Sequence, residues 1–197
     1  SDLNLVALYT CPWPGQGFYF KKAVNSSADT QGIKFRSYNS ATATFAEELG
    51  MVPVQVEAAE LSQALATGVA ESFISSGSTG YDRKVWESLT HYYKVNAWLP
   101  RNYVIVNKGI WDGLGADTKA NVQKAADETG AACSAKSAEL ANWYFEQLSA
   151  NGMSVEDASS DFLAELEAIG TKMTADWLSA AGSDGQAIID NYKAMAN

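Results

Sequence analysis

The chain has 197 residues, 47% of them hydrophobic and 19% charged, which suits a folded globular protein and argues against intrinsic disorder. Fourteen Lys and Arg against 23 Asp and Glu leave a formal charge of −9, so nucleic acid and anionic membrane are poor partners. One histidine and two cysteines exclude multi-histidine metal centres, cysteine-rich zinc modules and iron–sulfur clusters.

Residues 3–9 carry Leu3, Leu5, Val6, Leu8 and Tyr9 and read as a buried strand. Two prolines and two glycines in residues 10–17 then predict irregular backbone. A strand is expected over 33–38, a helix over 40–49 stopped by Gly50, a strand over 52–56, a helix over 58–67 closed by Gly68 and a strand over 69–74. This alternation predicts an α/β sheet with crossover helices, in which ligands sit beyond the carboxyl ends of strands. Arg36 to Asn39 and Ser75 to Thr79 lie at such ends. A helical stretch over 81–88 precedes extended segments at 92–99 and 102–107 on either side of Pro100.

From Asp117 the pattern is helical. Val122, Ala126, Thr129, Cys133, Leu140, Trp143, Tyr144 and Leu148 follow three-to-four spacing up to Gly152. Phe162, Leu166, Ile169, Met173 and Trp177 form a second stripe. Capping-box spacing at 183–186 opens a last short helix with Ile188, Tyr192 and Met195. Cys133 reads as a small core residue; Cys11 and Cys133, far apart in sequence, could form one disulfide but read first as two separate thiols. No apolar run reaches the roughly 18 residues of a membrane span. The opening at Ser1 without a signal-peptide pattern reads as a processed or shortened chain.

The familiar catalytic motifs fail. Gly15-Gln16-Gly17 begins a dinucleotide fingerprint, but Phe20 holds the third glycine position, and there is no phosphate-binding P-loop. The hydroxyl-rich run 75–80 is not a nucleophile elbow; it is either an ordinary capped loop or a ring of donors facing a ligand. The acidic pairs Glu47-Glu48 and Asp127-Glu128 point about 100° apart on helices and read as solvated surface. Arg36 differs: it ends an apolar strand where a guanidinium can grip a carboxylate with two parallel hydrogen bonds. Tyr9, Trp13, Phe18, Tyr38 and Trp98 gather near strand ends and could supply an aromatic wall.

The run Gly32-Ile33-Lys34-Phe35-Arg36 resembles the G-(L/M)-K-(hydrophobic)-R strand of the DctP-type solute-binding proteins of TRAP transporters. The stretches 25–32, 60–69, 104–108 and 111–114 resemble further family segments in the same order, so the resemblance spans about Leu5 to Leu114. It implies an α/β, periplasmic-binding-protein-like two-lobed fold that closes around a small organic acid and delivers it, without catalysis, to a TRAP permease. Residues 1–100 would form the second lobe, 101–140 a hinge strand and helix returning to the first, and 141–197 C-terminal helices packing on both. Family members begin with a long region that builds most of the first lobe; here the chain would start as the backbone enters the second.

By the same resemblance the carboxylate-binding arginine falls on Arg36, and a ligand-side asparagine falls at about Ser75. Many relatives carry a second arginine where this chain has Pro14 to Phe18, so a single carboxylate is expected. Trp13, Phe18, Tyr38, Asn39, Ser75, Ser76 and Trp98 complete the expected site. Together they suggest a bulky or aromatic monocarboxylate, with no cofactor and no metal. A periplasmic location is implied, and an isolated piece of the fold could dimerise through uncovered apolar surface. Two other readings stand beside this one: an α/β hydrolase or transferase pairing a serine of 75–78 with His91, and a sensor or adaptor module that binds a receptor partner.

Overall fold

The strand that organises the molecule, Gln16–Phe20, begins inside the stretch expected to be irregular. The computed structural model describes residues 3–196. β1 (Leu5–Pro12) runs through Thr10 and Cys11, and β2 (Gln16–Phe20) begins only four residues later. Pro12 is tolerated because β1 pairs with a single partner, the antiparallel β7 (Arg101–Asn107), and so lies at the edge of a two-stranded ribbon.

β2 enters the second, six-stranded sheet. Its other strands are β3 (Lys34–Ser37), β4 (Val52–Gln55), β5 (Ser72–Ser75), β6 (His91–Trp98) and β8 (Ser154–Asp157), in the order β4-β3-β5-β2-β6-β8. β2 is antiparallel to both of its neighbours, whereas the other pairings are parallel. The first residue of β2 therefore lies at the same end of the sheet as the last residues of β3, β4, β5 and β6.

Every residue of β2 is buried because helices cover both faces. The two-residue period of a strand divides its side chains. Phe18 and Phe20 join Phe35, Phe45, Leu49, Ile74 and Phe162 in one core. Tyr19 joins Phe73, Leu61, Leu65, Leu89, Tyr92 and Leu148 in the other. The first core is closed by α1 (Ser40–Glu48) and α6 (Ser160–Ala196), the second by α2 (Leu61–Ala66) and α5 (Ala116–Ala150). Two short helices, α3 (Gly77–Asp82) and α4 (Lys108–Gly113), follow β5 and β7.

The crossover expectations hold in outline and shift at the edges. The helix over 40–49 is α1, capped by the Asn39 side chain and left through Gly50 at φ 71°. The helix over 58–67 is a 3-10 turn followed by α2, and the strand over 69–74 starts only at Ser72. The tail forms one 35-residue helix and then a second long helix broken at Gly182, whose φ of 62° favours glycine. The break falls where the last capping box predicted a new start. None of the described helices is long and apolar enough to cross a membrane.

The two-thiol expectation is overturned: Cys11 on β1 and Cys133 on α5 form a disulfide, with Cα atoms 5.7 Å apart. Cys133 is half-buried against β1 rather than inside a core. Backbone approach makes the pairing possible, since a Cβ added at Gly130, one turn earlier on α5, would lie 3.1 Å from the Tyr9 Cβ. Replacing both cysteines by serine removes a bridge that closes a 122-residue separation. The expected cost is roughly 3–5 kcal/mol, read as a lowered Tm with far-ultraviolet dichroism retained. An unchanged Tm would show that the ribbon and α5 hold together without the bond.

Candidate functional site

The residues beyond the carboxyl ends of β3, β4 and β5 and before the start of β2 surround a groove of about 340 Å³. Arg36 comes from β3, Tyr38 from just beyond it, Glu57 from after β4, Ser75 from β5, Thr79 from α3 and Gln16 from β2. Trp13, between β1 and β2, forms part of the wall.

Arg36 is only 5% exposed. Its Nε donates to the Val56 carbonyl oxygen at 2.8 Å, and its guanidinium carbon lies 5.2 Å from the centre of the Tyr38 ring. None of the described ion pairs includes Arg36. Burial pushes its pKa down, while Tyr38 and the Glu57 carboxylate push it back up. Because an arginine starts far above neutrality, the group stays cationic at neutral pH. Burial likewise raises Tyr38. The groove thus holds a desolvated positive charge whose terminal N–H groups have no carboxylate partner among the described residues.

The neighbours are held by a short chain of contacts. The Tyr38 hydroxyl donates to Gln16 Oε1 at 2.8 Å. Trp13, 38% exposed, donates its indole N–H to Ser76 Oγ at 2.8 Å. Ser76 is itself fixed by the Ser78 hydroxyl at 2.8 Å and by Tyr19, whose hydroxyl donates to the Ser76 carbonyl oxygen. Ser75 donates to the Thr79 hydroxyl at 2.8 Å.

Of the expected site residues, Arg36, Tyr38, Trp13 and Ser75 line this groove, and Ser76 supports it from behind. Three do not. Phe18 is fully buried between Phe20, Phe35, Phe45 and Phe162, because its position in β2 points it into the first core. Asn39 is spent on the helix start, its side chain accepting from the Thr42 backbone N–H at 2.8 Å. Trp98 packs edge-on against Phe45, at 5.0 Å between ring centres, in a separate apolar cavity of about 560 Å³ bounded by α1, β6 and α6. Gln16 and Glu57 were missed as site residues. Gln16 lay inside the supposed loop, and Glu57 stands just before the helix expected over 58–67.

The hydrolase reading fails on geometry. Phe20 pairs with both His91 and Ser72, whereas Ser75 pairs with Gly17, three residues further along the sheet. At about 3.3 Å per residue that is roughly 10 Å along the strands, before counting the β2 strand between them. His91 instead shares a hydrogen bond with Thr90 and stacks on Tyr93. Among the described residues, the hydrogen bonds of Ser75, Ser76 and Ser78 go to Thr79, Trp13 and one another, and none reaches His91.

The model of the DctP family, bacterial extracellular solute-binding protein family 7, matches residues 16–180. The chain belongs to this family. A TRAP solute-binding protein from a marine metagenome, specific for pyroglutamate, is 82% identical with a TM-score of 0.94 over 98% of this chain. The Bordetella pertussis receptor DctP6, which binds pyroglutamic acid, is 41% identical with a TM-score of 0.95 over 98% of this chain. The C4-dicarboxylate-binding periplasmic protein DctP of Rhodobacter capsulatus is 34% identical over 102 residues, 51% of this chain and 31% of that protein. The chain spans 63% and 64% of the two crystallised proteins. The expected α/β binding-protein fold is therefore correct, family members are solute-binding proteins rather than enzymes, and the periplasmic location follows from membership. Nothing in these comparisons supports a dimer.

If Phe18 is a core residue, Phe18→Ala should destabilise the fold by about 3–5 kcal/mol, measured by denaturant unfolding. A variant with wild-type stability but altered ligand choice would return Phe18 to the site.

Proposed function

We propose that the full-length protein is the extracytoplasmic receptor of a TRAP transporter for a compact cyclic monocarboxylate, pyroglutamate, which it carries to the permease without chemical change. The observation that carries this reading is Arg36: one buried guanidinium, free of ion pairs among the described residues, faces a groove whose other polar groups are neutral apart from Glu57. A ligand carboxylate supplies the missing counter-charge. A second carboxylate on the ligand would meet no second cation among the described residues that line the groove, and would face Glu57. This sets the groove apart from what a C4-dicarboxylate needs, in line with the pyroglutamate bound by the 82% identical relative.

The ligand proposed is smaller than the bulky or aromatic acid expected. With Phe18 and Trp98 directed elsewhere, Trp13 and Tyr38 are the aromatic side chains at the groove. Ser75 and Thr79 add hydroxyls beside the carboxylate. In this reading the six-stranded sheet with its helices forms one lobe, and the β1–β7 ribbon with the start of α5 leads to the other, which closes over the ligand.

Calorimetry on the full-length protein tests the proposal. Pyroglutamate should bind more tightly than succinate, and Arg36→Ala should weaken it by roughly 2–5 kcal/mol, at least 30-fold. Unchanged affinity in the variant, or a preference for succinate, overturns it.

A further inference from the structure

Gln16 occupies a place that the charge argument leaves unexplained. It is the first residue of β2, only 6% exposed, with Gly17 paired to Ser75 on one side and Gln16 itself paired to Trp98 on the other. Its Oε1 is occupied by the Tyr38 hydroxyl, and no described hydrogen bond uses its Nε2. A primary amide carries two N–H donors, and Nε2 is not among the buried polar atoms lacking a partner, so it is open to the groove rather than sealed in the core. The group lines the groove, so a ligand can reach it.

The spacing of this donor from the charge is fixed by one residue. Tyr38 stacks under the Arg36 guanidinium and bonds Gln16, linking the cation to the amide through a rigid ring. The charge of Arg36 and the uncharged amide of Gln16 thus share one groove, bridged by Tyr38.

We propose that Gln16 is a specificity-determining residue that donates its Nε2–H to a carbonyl oxygen of the ligand, with Tyr38 as the positioning residue that holds the amide. The inference rests on the carboxylate reading of Arg36 and adds to it the chemical class of the ligand's neutral end, a cyclic amide or ester carbonyl.

Three acids with the same ring size separate the contributions. Pyroglutamate has a ring carbonyl and an N–H, 5-oxotetrahydrofuran-2-carboxylate has the carbonyl without the N–H, and cyclopentanecarboxylate has neither. Calorimetry on the full-length protein should show the first two bound at least about 10-fold tighter than the third. Gln16→Met should weaken those two by roughly 10- to 100-fold and change cyclopentanecarboxylate by less than about 3-fold. Tyr38→Phe should reproduce the same ligand pattern with a smaller loss, about 3- to 10-fold. If Gln16→Met fails to fold, the Tyr38→Phe variant, which leaves Gln16 in place without adding charge, decides by the same ligand pattern.

Equal losses for all three acids, or wild-type protein that treats the lactone acid like cyclopentanecarboxylate, overturn the proposal. Arg36→Ala binding all three as tightly as wild type sinks the carboxylate placement instead, and the ligand pattern in Gln16→Met then still decides for or against Gln16. Wild-type protein that binds none of the three overturns both readings.

Discussion

A positive charge has been placed almost entirely out of water and left without an opposite charge of its own. Arg36 spends one N–H on the Val56 carbonyl and sets its face over the Tyr38 ring, which offsets part of the cost of desolvation. Glu57 contributes at longer range. What stays unmet is the planar, two-pronged hydrogen-bonding capacity that carboxylates match. The rest of the site is arranged around that unmet capacity.

The sheet makes the placement possible. β2, inverted between parallel neighbours, brings its first residue to the end where β3, β4 and β5 finish. Strand ends are where side chains can leave the sheet's plane and meet a ligand, and both cores pack behind them. The aromatic content of β2 anchors this end from either side, with Phe18 stacked on Phe45 and Tyr19 stacked on Phe73. The Tyr19 hydroxyl also reaches the Ser76 carbonyl. One residue thus belongs to the core through its ring and to the site through its oxygen.

Much of this could be read in the sequence, for definable reasons. The crossover helices and parallel strands announced themselves by period, and Gly50 and Gly68 ended helices where their positive φ suits glycine. Arg36 stood out because a charged residue closed an apolar run. β2 was hidden because Pro12, Pro14, Gly15 and Gly17 suggest irregularity, while pairing with two neighbours is decided by tertiary contacts. β8, four residues long, pairs only with β6 and carries no apolar alternation strong enough to see. Phe18, Asn39 and Trp98 were misplaced because sequence shows that a residue is near a strand end but not which way it faces. The disulfide lay beyond reach for a similar reason: separation along a chain says nothing about distance in space.

The bond between Cys11 and Cys133 ties a covalent ring that contains β2 through β7, the four short helices and the first half of α5, leaving β8 and α6 as an unringed tail. Such a ring can no longer be drawn out into a single thread. A polypeptide that must pass lengthwise through a narrow membrane conduit has to do so before the two sulfurs meet, and oxidising surroundings are found on the far side. Closure of the ring therefore also fixes the order of events, with passage first and the finished fold second.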